Sequence, residues 1–170
     1  MRYLLDIAVV LLGVAVFAQA PADRIPSDDS VRINEFYRLA AQVQDQVWPN
    51  WDQTPAPLLL VTSDREFLTH HPAPPQDFKP TGNGFYSRPR QFPINLLATF
   101  PAFGPPSVIV IGEPNNTASK TSTPWLITLM HEHFHQLQNA QPAYFQAVED
   151  LGLSRNDTTG MWMLNYPFPL

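Results

Sequence analysis

His131-Glu132-His133-Phe134-His135 decides how this chain is read, because around it Trp125 to Asn139 holds neither glycine nor proline. On a helix, residues four apart stand one turn above each other, so His131 and His135 can offer two imidazole nitrogens to one metal ion. Glu132 is then beside any water on that metal, placed to take its proton. Thr123-Pro124 suits a helix start, with a hydroxyl at the cap and proline at the first helical position. At ~100° per residue, Leu126, Ile127, Leu129, Met130, Phe134 and Leu137 fill an arc of roughly 160°. His131 and His135 lie about 40° apart, centred almost opposite that arc, with Glu132 on their flank. The pair therefore points away from the core, whereas His133 falls inside the apolar arc as a partly buried or supporting histidine.

From roughly Thr123 to Gln141 the chain resembles the active-site helix of the zincin metallopeptidases. The resemblance implies an α+β, zincin-like fold, Zn2+ held by His131 and His135, and Glu132 as general base. Such families add a third protein ligand downstream. The metzincin pattern needs histidine six residues after His135, where this chain has Gln141, so that branch is excluded. The gluzincins take a glutamate from a following helix. Here Pro142 to Leu151 is expected to be helical, with Tyr144, Phe145, Val148 and Leu151 as its buried stripe and Glu149 at the stripe's edge. The 13 residues between His135 and Glu149 make a short gap for that branch. The alternative is a ligand beyond Leu170. Asn165-Tyr166-Pro167-Phe168-Pro169-Leu170 reads like the middle of a domain, so a C-terminally incomplete chain is expected.

At the other end, Arg2 precedes an apolar run from Ile7 to Phe17 and then Ala18-Gln19-Ala20. This is too short to span a bilayer and has the form of a secretory signal cleaved after Ala18. The expectation is a signal peptide over 1–18 and one catalytic domain over 19–170, secreted or periplasmic, with no stable membrane insertion after cleavage. Cleavage removes one Arg and one Asp, leaving the net charge at −5. That mild acidity gives no footprint for nucleic acid. The chain has no cysteine, which excludes a disulfide framework, peptide deformylases and cysteine-ligated zinc deaminases. No Gly-x-Ser-x-Gly supports a serine hydrolase.

Val31 to Val47 reads as an amphipathic helix through Ile33, Phe36, Tyr37, Ala40, Val43 and Val47, after an exposed lead-in from Pro21 to Ser30. Leu58 to Thr62 reads as a buried strand and Asp64 to Leu68 as a brief helix. From Pro72 to Pro106 there are nine prolines in 35 residues, too many for regular helix or a central strand. Six aromatic residues spread through this stretch argue against a disordered linker. An ordered, extended segment wrapping the core is expected, with an edge hairpin near Thr81-Gly82-Asn83-Gly84. Val108 to Ile111 is a second strand, and the zincin resemblance gives it the cleft border, where a peptide adds to the sheet edge.

His70 and His71 are adjacent and so point apart; both are expected at the surface, away from the metal. Tyr86, Tyr144 and Tyr166 are candidates for the hydroxyl that stabilises an oxyanion. The expected function is zinc-dependent hydrolysis of peptide bonds in a peptide or protein substrate. Two alternatives stand beside it: a catalytically incomplete exported zinc- or peptide-binding module, and a structural protein whose helix merely matches the pattern.

Overall fold

A computed structural model describes residues 24–152. The expected leader over 1–18, the C-terminal segment and Tyr166 lie outside the described residues. Within them the chain is α+β: helix α1 (Ser27–Val47), six strands, helix α2 (Ser122–Asn139) and short helix α3 (Tyr144–Asp150). No helix among the described residues is long and apolar enough to cross a membrane.

The strands are β1 (Leu58–Val61), β2 (Arg65–Thr69), β3 (Lys79–Gly82), β4 (Phe85–Pro89), β5 (Leu97–Phe100) and β6 (Val108–Gly112). They form one mixed sheet in the order β3-β4-β2-β1-β6-β5, with β1 and β6 parallel and every other pair antiparallel. β1 and β6 are buried along their whole length. They therefore read as unbroken apolar runs rather than alternating ones.

β2 replaces the brief helix expected over Asp64 to Leu68. Thr62 ties the turn: its N–H and its hydroxyl both donate to Arg65 O at 2.9 Å, and its hydroxyl accepts the Arg65 N–H at 3.2 Å. The chain reverses at once, and Phe67 and Leu68 are buried on opposite faces of the sheet. With both faces covered, no alternating pattern marked the strand.

α1 and α2 pack on one face, where Ile33, Phe36, Ala40, Trp125 and Leu129 meet Leu58, Leu60, Phe67, Ile109 and Ile111. α1 begins at Ser27, four residues before the expected start, with Asp28 and Asp29 in its first turn where the helix dipole favours them. Val43 and Val47, expected in its buried stripe, are exposed; Gln44 is buried instead. Arg32 of α1 donates to Ser122 Oγ at 3.0 Å and fixes the start of α2. That start lies one residue before Thr123, so Pro124 occupies the third helical position, still within the turn whose N–H groups lack partners.

The proline-rich segment covers the opposite face, as expected of a wrapping segment. Phe78, Phe92, Phe100 and Phe103 pack there on Leu59, Val61, Leu68, Val108 and Val110. The hairpin at Thr81 to Gly84 is present, with Gly82, Asn83 and Gly84 all left-handed. The segment also supplies β4, which is paired on both sides against the expectation of no central strand. Pro89 is tolerated because it is the strand's last residue, and Pro80 because β3 is an edge.

A buried ion pair pins this covering layer. Glu66 accepts Arg88 Nε at 2.7 Å and the backbone N–H groups of Gln91 and Phe92. The Arg88 guanidinium stacks 4.4 Å from the centre of Phe78 and donates to Asp77 at 2.8 Å.

Candidate metal centre

Trp125 and Leu129 anchor α2 to the sheet, Leu137 is buried further along the helix, and the Trp125 indole N–H donates to Gly112 O at 3.0 Å. Gly112 is required there: a Cβ would collide with the carbonyl oxygen of Ile94. Between these anchors the inner face is polar, carrying buried Glu132, His133 and Gln136. The expected apolar arc is therefore rotated. Ile127 is 64% exposed, and Leu126, Met130 and Phe134 are half-buried. Hydrogen bonding to the sheet, which a hydropathy pattern does not report, sets the seat of the helix.

His131 is exposed and His135 half-buried, on the outward side of α2. Their Nε2 atoms stand 3.1 Å apart, with the rings nearly perpendicular at 88°. Two nitrogens about 2.0–2.1 Å from one tetrahedral ion stand roughly 3.3–3.4 Å apart, so the pair needs only a slight opening to grip one. His135 Nδ1 lies 2.7 Å from Gln138 Oε1. An amide oxygen only accepts, so Nδ1 carries the ring proton and Nε2 keeps its lone pair for a metal.

Glu132 completes the group, with its ligand atom and those of both histidines all within 4.8 Å of one another. Its carboxylate is buried and held from across the seam: Thr99 of β5 donates to Glu132 Oε2 at 2.6 Å. Among the described residues no hydrogen bond is made to Oε1. Two imidazoles with a carboxylate beside them could hold a divalent metal ion.

His133 does not join the group. It is buried under α1, with Nδ1 2.9 Å from Gln136 Oε1, Nε2 3.1 Å from the Gln44 side-chain amide, and Trp51 stacked on its ring. Gln136 spends its amide nitrogen on Pro57 O and Ser107 O, both at 2.9 Å, so its oxygen must accept from His133. Burial pushes the His133 pKa down, with the Gln136 bond opposing. A neutral ring then accepts at Nε2, which requires Gln44 to turn its amide nitrogen there.

Glu149 lies exposed on α3, outside the His131–Glu132–His135 group. The buried stripe expected for α3 is not formed: Tyr144 and Val148 are half-buried, while Phe145 and Leu151 are 54% and 65% exposed. Tyr86 packs on the face of the sheet opposite α2, and Tyr144 meets Phe145 edge-on. His70 stacks on Tyr37 and His71 packs against Phe103, so the neighbours do point apart. His71 is buried rather than at the surface.

Val108–Gly112 cannot border a cleft as a free edge, because β1 and β5 pair with it on both sides. β5 is the edge strand beside α2. Sequence reasoning missed Thr99 and Gln138 as partners of the site. Gln138, at i+3 from His135, carried a local signal; Thr99, 33 residues from Glu132, carried none. Compared with protein-family models, with curated proteins and with solved structures, the chain matches none.

Proposed function

We propose that this chain is an exported zinc metallopeptidase of the zincin type, in which His131 and His135 hold Zn2+ and Glu132 is the general base. One observation carries the reading: two Nε2 atoms 3.1 Å apart, with a buried carboxylate beside them clamped from the neighbouring strand. When bound, the ion supplies a Lewis acid for a peptide carbonyl and lowers the pKa of a water toward ~7. Glu132, held on Oε2 by Thr99, uses Oε1 to take the proton of the attacking water and return it to the leaving amine. β5 takes the cleft-border role that the resemblance had assigned to Val108 to Ile111.

The test is zinc content and peptide cleavage of the purified protein, with Glu132→Gln beside it. Glu132→Gln is expected to keep zinc and lose turnover. Cleavage that survives complete chelation would remove the proposal.

The second reading, a zinc- or peptide-binding module without turnover, is favoured by a different observation. Among the described residues the histidine pair gathers no carboxylate other than Glu132, which the peptidase reading needs as its base. Stoichiometric zinc with no cleavage of any peptide selects it.

A further inference from the structure

The sheet edge beside the histidine pair has a definite hydrogen-bonding register. Ile109 N–H donates to Pro57 O at 3.0 Å, which turns the peptide groups of Ile109 toward β1. Thr99, its antiparallel neighbour on β5, must then turn its own N–H and C=O outward. Leu97, opposite Ile111, does the same. The Thr99 carbonyl meets Asn139 Nδ2 at 3.4 Å, a long contact that leaves a lone pair for a second donor. Among the described residues the Thr99 N–H has no partner. A peptide strand laid antiparallel on this edge therefore pairs one residue with Thr99. That residue's side chain stands on the α2 side, level with Glu132.

Toward the peptide's N-terminus the next residue on the same face, two positions earlier, comes opposite Pro101. A cavity of about 480 Å³ opens there, between the end of β5 and the last turn of α2. Pro101, Pro105, Pro106, Ala140 and Phe145 form its walls. Among the described residues no charged one lines it, and its buried polar groups, Gln136 and Ser107, are already bonded to each other. Such a lining disfavours a charged side chain and rewards apolar area.

We propose that this cavity is a side-chain subsite for a peptide lying antiparallel along β5. It takes a bulky apolar residue, aromatic or branched aliphatic, on the N-terminal side of the bond presented to His131, His135 and Glu132. The bond that is cut belongs to the peptidase reading; the peptide's direction and the pocket do not need turnover.

The test has a binding arm and a cleavage arm. Metal-free protein is titrated with fluorescein-labelled alanine-rich octapeptides carrying one Phe, Leu or Lys at each position in turn. Phe or Leu at one position is expected to tighten binding about 10–100-fold over Ala or Lys. Ala140→Trp, which fills the cavity from an exposed helix end, should erase that preference, so that the Phe, Leu and Ala peptides bind alike. Phe145→Ala, which removes one wall, should weaken it. A nitroxide at the peptide's C-terminus should broaden the Leu97 amide rather than that of Ala102. With zinc restored, cuts in a peptide library should fall two or three residues after the apolar side chain. A preference that survives Ala140→Trp, a label that broadens Ala102, or an apolar preference only after the cut overturns the proposal. Binding preference without any cleavage upholds the subsite and ends the peptidase reading instead.

Discussion

The Thr99 hydroxyl donates to the Glu132 carboxylate at 2.6 Å, so the carboxylate next to the histidine pair is held by the edge strand and not by its own helix. Hydrogen bonds to a charged group contribute about 1.5–3 kcal/mol. Thr99→Val is therefore expected to lower kcat roughly tenfold or more while zinc content stays at the wild-type level. Thr99→Ser, which keeps the hydroxyl, should recover most of the loss. Steady-state kinetics beside metal analysis checks this; a Thr99→Val protein with unchanged kcat contradicts the clamp.

Gln138 should matter to metal affinity although it cannot reach the metal. Its bond to His135 Nδ1 fixes the tautomer that leaves Nε2 free, and loss of such a partner typically weakens binding 10–100-fold. Competition titration against a zinc chelator should show Gln138→Ala in that range. His131→Ala should abolish binding, and His133→Ala should bind zinc normally but unfold more easily.

Acid should destabilise the metal-free protein in a defined window. Burial holds His133 below its ordinary value of 6.5, and burial acts the same way on His70 and His71. Below about pH 6.5 the unfolded chain takes up protons that the folded one refuses, so stability is full above that value and falls as pH drops. The slope is at most about 1.4 kcal/mol per pH unit for each histidine. Thermal melts of His133→Gln should show a shallower loss between about pH 7 and pH 5 than wild type does.

The pair formed by Glu66 and Arg88 holds the proline-rich layer to the sheet. Replacing Arg88 by Met strands a fully buried carboxylate, a change that costs about 3–5 kcal/mol. Urea denaturation should show it as a lower midpoint with an unaltered slope. Zinc affinity should hold, because the pair lies on the face away from α2.

The sequence by itself determined the local features. His131 and His135 are one turn apart because helical pitch makes i and i+4 neighbours, and no glycine or proline interrupts the stretch. β1 and β6 were legible as apolar runs between turn residues, and the hairpin at Gly82 to Gly84 from its left-handed formers. What only the tertiary structure decided depends on contacts between residues far apart in the chain. β2 became a strand through pairing with β1 and β4, and the partners of the buried polar groups were likewise hidden: Glu132 found Thr99, Glu66 found Arg88, and His133 found Gln44 across 89 residues. The sheet edge beside α2 is Leu97–Phe100 rather than the expected Val108–Ile111 for the same reason. Pitch and hydropathy act over a few residues and can be read along the chain. Strand order and buried hydrogen bonds arise only when distant segments pack together.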